Sequence, residues 1–149
     1  MKNKLSVFKG IIERIEIVSD FSNAENSLMY NRDSKQRIII NNDASVEFMG
    51  YGTDGKERRN KTLTINQKDK TKIFEMVAGY FGKEHNFGMA LGAGIWKINL
   101  TDSDGEDYAY CGMIGDEVEY DGISLSEFIR ESVGIGELYV FDGEDWKIK

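Results

Sequence analysis

Apolar and polar side chains alternate in short runs through the first 66 residues, the period-two pattern of strands that bury one face. Arg14-Ile15-Glu16-Ile17-Val18 is such a run. Phe8, Ile11, Ile12 and Ile15 also fit helical spacing, but the β-rich composition of 14–18 favours a strand. Residues 27–30 form a second short candidate. The run 37–40, the break Asn41-Asn42-Asp43 and the run 45–51 together predict a hairpin. A further turn at Thr53-Asp54-Gly55-Lys56 leads into the alternating stretch 61–65, which completes an antiparallel meander.

Against these strands the period changes twice. Ile73, Phe74, Met76, Val77, Tyr80 and Phe81 recur at the i, i+3, i+4, i+7 spacing of a helix with one buried face, between Asp69 and Gly82. A second, shorter helix opens at Ser124-Leu125-Ser126-Glu127, a capping-box spacing, carries Phe128, Ile129 and Val133 on one side, and stops at Gly134. Strands are predicted at 95–101, 108–113, 117–120, 137–141 and 146–148. The order of strands, helix, strands, helix, strands allows hairpins between most neighbours. It predicts an α+β fold: one domain over residues 1–149, a mostly antiparallel β-sheet with two helices packed on one face.

Composition narrows the class. Hydrophobic residues make up 40% of the 149 and aromatic ones 11%, enough for a core despite 30% charged residues. With no proline, the turns fall to Gly, Asn and Asp. A single cysteine, Cys111, rules out an internal disulfide or a thiolate metal cage and suits a reducing compartment. Charged residues interrupt every apolar run near the N-terminus, so neither a signal peptide nor a membrane span is expected, and the expected location is cytoplasmic.

Catalytic and ligand motifs are weak. Asp102-x-Asp104-Gly105-x-Asp107 has the oxygen ligands of a calcium loop in the wrong register, because the sixth and twelfth positions fall on Asp107 and Met113. A hairpin turn in which Gly105 supplies positive φ fits better. His85 is the only histidine and stands in a loop after the first helix, where a solvated or capping role fits. Cys111 has acidic neighbours, which disfavour a nucleophilic thiolate, and reads as a small buried hydrophobe. The glycine-rich run 88–94 precedes a strand, whereas phosphate loops follow one and open a helix. Carboxylate pairs such as Asp116 and Glu117 are too numerous to single out a glycosidase-like dyad. Lys56, Arg58, Arg59 and Lys61 surround one turn, too small a set for a nucleic-acid groove. No cofactor or metal is predicted, and an enzyme ranks third among the readings, with only a carboxylate-based hydrolase surviving the missing motifs.

Charge distribution is the informative feature. Residues 100–149 hold 14 acidic side chains against three basic ones, a net −11, whereas residues 1–99 hold 16 basic against 12 acidic, a net +4. Solubility alone does not require such segregation. The predicted function is a non-enzymatic interaction module, immunity- or inhibitor-like, whose acidic face binds a basic protein through Asp102, Asp104, Glu106, Asp107, Asp116, Glu119 and Asp142. Direct nucleic-acid or membrane binding is not expected. The alternative is a small-molecule sensor with a pocket lined by Trp96, Tyr108, Tyr110 and Tyr139 beside the 88–94 loop.

The stretch Asp121-Gly122-Ile123-Ser124-Leu125-Ser126-Glu127-Phe128-Ile129-Arg130, continuing into Glu137-Leu138-Tyr139-Val140-Phe141-Asp142-Gly143, resembles the C-terminal pattern of small α+β proteins of low-GC Gram-positive bacteria. That resemblance covers the last third of the chain. It implies a bacterial or phage origin and carries no activity or site residues.

Overall fold

Alternation carries β1 (Ile12–Asp20) to the centre of a six-stranded antiparallel sheet, because Ile15, Ile17 and Ser19 all point to one side and are buried there. The computed structural model describes residues 7–21, 33–85 and 94–142. β2 (Lys35–Asn41), β3 (Ser45–Tyr51) and β4 (Glu57–Thr64) follow as the expected meander on one side of β1. β5 (Ile95–Asp102) pairs with the other side of β1 and β6 (Asp107–Met113) with β5, giving the order β4-β3-β2-β1-β5-β6. Strand candidates at 27–30 and 146–148 lie outside the described residues.

Register defines two ends. Arg14 pairs with both Asn41 and Thr101, so the β2–β3 and β5–β6 turns share the first end. Asp20 pairs with both Lys35 and Ile95, which places the β3–β4 turn and the exit of β6 at the second.

The helices form where the period predicted them. α1 (Gln67–Phe81) begins two residues before Asp69, because the side chain of Asn66 accepts the Asp69 amide at 3.0 Å and caps the first turn. Gly82 closes it in a right-handed conformation, and a Cβ there would meet the Ala78 carbonyl oxygen at 2.8 Å. α2 (Leu125–Val133) is capped by Ser124, which accepts from the Glu127 amide, and ends on Gly134 at φ +66°, the left-handed conformation that favours glycine. β7 (Glu119–Tyr120) and β8 (Ile123–Ser124) make a separate two-stranded ribbon before it. Inward residues of the sheet and the apolar faces of both helices form one core, including Ile15, Ile40, Phe48, Ile73, Trp96 and Ile129. The helices therefore lie on one face of the sheet, and the α+β architecture follows.

One predicted strand does not form. Residues 137–141 run as irregular turns with Leu138, Tyr139, Val140 and Phe141 almost fully buried. Two non-glycine residues in this strap, Glu137 at φ +61° and Val140 at φ +49°, turn its backbone out of the extended conformation a strand needs. Its polar partners, described next, explain how an irregular segment can be buried at all.

Candidate functional site

A buried strap must satisfy its amides and carbonyls without a ladder, and here polar side chains on the sheet and α2 do so. Arg59 Nη1 donates to Gly136 O at 3.2 Å, Gln36 Nε2 to Glu137 O at 2.7 Å, and Ser19 Oγ to Val140 O at 2.6 Å. Gln36 Oε1 accepts from Tyr139 N at 2.9 Å, and Ser126 Oγ from Phe141 N at 3.3 Å. The strap thus crosses the second end of the sheet from β4 over β2 to β1, and Phe141 then packs its ring on Trp96 of β5 at 4.9 Å.

Beneath it lies a buried carboxylate. Asp33 accepts from Arg58 Nη1 at 2.8 Å, Arg59 Nη2 at 2.6 Å and Gln36 Nε2 at 2.9 Å, and its side chain is fully enclosed. Gly50 is required beside it, because a Cβ there would lie 2.5 Å from the Asp33 carboxylate. Two guanidinium partners, each about a third exposed to solvent, compensate one buried charge from its outer side, as burial of a carboxylate demands. Sequence reasoning missed this network. Its legible trace was polar residues at inward strand positions, Ser19 after Ile15 and Ile17, and Gln36 before Ile38 and Ile40.

The seven carboxylates predicted to form one acidic face are divided. Asp104, Glu106 and Asp107 stand exposed at the tip of the β5–β6 hairpin, at the first end of the sheet. Asp116 follows β6 at the second end, about 20 Å from that tip across seven residues of strand, and Glu119 stands exposed in the separate β7–β8 ribbon. Asp102 and Asp142 are corrections to that expectation. Asp102 is buried, and its Oδ1 accepts the Asp104 and Glu106 amides at 2.9 Å each, so it shapes the turn from within, with Gly105 at φ +83° as predicted. Asp142 is buried against Arg130, whose Nη1 and Nη2 each donate to one carboxylate oxygen at 3.0 Å. The same Arg130 donates to Leu138 O at 3.0 Å, so this pair ties the strap to α2.

Asp116 is half-buried and accepts from Trp96 Nε1 at 2.8 Å and from the Met113 amide at 3.1 Å. Burial, with the Asp116 charge added, raises the Tyr80 phenol above its ordinary value, and burial next to Tyr108 pushes Tyr110 up to about 12. His85 stacks on Tyr80 with ring centroids 3.9 Å apart, and its Nε2 lies 2.7 Å from the Tyr80 carbonyl oxygen, the capping role expected of it.

Three of the four aromatic side chains expected to line a sensor pocket, Trp96, Tyr108 and Tyr110, pack with one core cluster, and the fourth does not. Trp96 is buried against Phe81 and Phe141, Tyr110 stacks on Phe81, Tyr108 meets Phe8, and Tyr139 sits in a separate cluster with Phe21 and Ile114. Residues 88–93 of the accompanying loop lie outside the described residues. Cys111 is exposed rather than buried, because the alternation of β6 turns Tyr108, Tyr110 and Gly112 toward the core and Cys111 away from it. Among the described residues no three His, Cys, Asp or Glu side chains stand together to hold a metal ion, and no helix is long and apolar enough to cross a membrane.

An apolar side chain flanks the acidic tip. Ile11 is 69% exposed, and its carbonyl accepts the Ser103 amide at 2.8 Å, which fixes it beside the hairpin. The other large exposed hydrophobic residue among those described, Ile123, opens β8 just after the turn that carries Asp121.

No family model and no solved structure matches the chain. Over 74 residues, half of the chain, it is 30% identical to the large ribosomal subunit protein uL3 of Marinobacter nauticus. The aligned part spans 33% of that protein.

Proposed function

We propose that this protein is a non-enzymatic interaction module that binds a basic segment of a partner protein at the tip of the β5–β6 hairpin. The observation that carries this reading is the pairing of Ile11 with Asp104, Glu106 and Asp107: an exposed apolar anchor rimmed by carboxylates. An apolar contact supplies affinity that survives salt, and a charged rim supplies orientation and encounter rate. Asp116, at the other end of β6, lies outside the reach of a short segment docked at this tip. The uL3 likeness covers only a third of that protein and brings no binding residue with it, and a net charge of −7 disfavours a role on phosphate-rich surfaces.

The test is chemical-shift mapping of the isotope-labelled full chain with a lysine-rich amphipathic peptide as probe. Shifts confined to residues 9–11 and 103–107, and affinity lost by about tenfold in Ile11→Ser, are expected. Shifts spread evenly over every acidic turn, with Ile11→Ser binding as wild type, would overturn the reading.

A further inference from the structure

The two edges of the sheet differ in a way that fits them to each other. β4 is one edge; beyond Arg58 and Arg59, which hold Asp33, it carries Lys61 and Glu57, with Lys56 before it and Lys68, Lys70 and Lys72 around Asp69 on the α1 turns that follow. β6 is the other edge. It has no charged residue between Tyr108 and Met113, no proline and an unbroken register with β5, and no described residue pairs with its outer side. Edge strands are usually blunted by charge, bulge or cover; among the described residues β6 has one charge, Asp107 at its first end, no bulge, and no strand hydrogen-bonded to its outer side. Carboxylates bracket it instead, with Asp104, Glu106 and Asp107 at the first end and Asp116 and Glu117 directly after the second.

Strand direction completes the match. Every neighbouring pair is antiparallel, so in a six-stranded sheet the outermost strands β4 and β6 run in opposite directions. A second copy displaced along the hydrogen-bonding direction, with its helices on the same face, therefore brings its β4 antiparallel to β6, eight residues against seven. In that arrangement Lys56 of the second copy reaches the second end, where Asp116 and Glu117 stand. Lys61 and Lys68 reach the first end, where Asp104, Glu106 and Asp107 stand. The alternative pairing of β6 with another β6 brings the −11 halves of two chains together, and like charges disfavour it.

We infer that the partner recognised at the acidic edge is a second copy of this chain, added head-to-tail through its β4 edge so that the sheet continues from one molecule to the next. This rests on the acidic hairpin being a recognition surface and names what it recognises. Such an interface is heterologous and does not close on itself, so the species formed are a ladder rather than a dimer alone.

Sedimentation velocity on the full chain over a concentration series, at about 20 mM and about 300 mM salt, tests it. The expected result is a ladder of oligomers at low salt that weakens by about tenfold or more at high salt. The double substitutions Asp104→Lys with Glu106→Lys, and Lys61→Glu with Lys68→Glu, alter exposed side chains, and each variant alone is expected to be monomeric. An equimolar mixture of the two is expected to associate again, because each retains the edge the other lacks. A monomeric wild type at low salt, a closed dimer that neither variant affects, or a mixture that stays monomeric would each overturn the inference. Titrating the lysine-rich peptide into the same monomeric samples separates the two readings: peptide binding without self-association sinks this inference and leaves the hairpin's recognition role standing.

Discussion

Gln36 Oε1 accepts the amide proton of Tyr139 at 2.9 Å across 103 positions of chain, while the same carboxamide donates to Glu137 O and to the carboxylate of Asp33. One side chain thus holds two strap groups and the buried acid under them. Replacing it with leucine keeps the bulk and leaves three buried polar groups short of a partner. Gln36→Leu is expected to lower unfolding free energy by about 2–4 kcal/mol, measured by urea denaturation. A loss below about 1 kcal/mol would mean that the strap satisfies itself in another way.

Removing the acid should cost at least as much. Asp33→Ala removes the shared acceptor of Arg58, Arg59 and Gln36 and leaves a void, while water reaches the two part-exposed guanidinium groups, so about 2–4 kcal/mol is expected. Gly50→Ala attacks the same place by overpacking, since its new methyl group would press on the Asp33 carboxylate, and about 1–3 kcal/mol is expected from thermal unfolding.

Asp142 and Asp104 should separate cleanly in their effects. Asp142→Asn weakens the clamp on Arg130 and is expected to cost about 1–2 kcal/mol in stability while leaving peptide binding unchanged. Asp104→Lys, fully on the surface, should shift stability by less than about 0.5 kcal/mol and reduce binding of the basic probe. Calorimetric melting beside a binding titration reads both. The opposite pattern would return Asp142 to the recognition surface.

Alkaline pH should loosen the fold through Tyr110. Its phenol is held up to about 12, above the ordinary value of about 10 that the unfolded chain shows. Between those values the unfolded state has released a proton that the folded state still binds, so stability is intact below about pH 10 and falls as pH rises toward 12. Tyr110→Phe is expected to flatten that decline, followed by denaturant midpoints across the alkaline range. Phenolate absorbance in the folded wild type should show a late-titrating tyrosine that the variant lacks.

Much of the fold was legible because alternation and helical spacing are local. The meander from β1 to β4, the hairpin with Gly105 at its turn and both helices follow from runs of five to ten residues. The misread parts were set by contacts distant in sequence. Residues 137–141 have strand composition, but Ser19, Gln36 and Ser126 offered their backbone groups other partners, and those residues come from three separate elements. Asp102 and Asp142 count as acidic in any tally of charge, yet one is spent on its own turn and the other on Arg130. Cys111 was misplaced by a single alternation, since β6 is an edge strand whose outward residues meet no second layer.

Because the strap seals the second end of the core, the order in which the chain is made matters to how it folds. The meander and α1 are complete early, but Ser19, Gln36 and the Trp96 ring keep wet or unmatched surfaces until residues 136–142 have been synthesised. A growing chain therefore carries a half-finished core through most of its synthesis, the state in which an unguarded strand edge is most exposed to wrong partners. Val140, held at φ +49° by its buried neighbours, can settle only after those neighbours are in place. The strap is thus a late-closing element as well as a cover, completing the second end of the core only once β1, β2 and α2 are there to receive it.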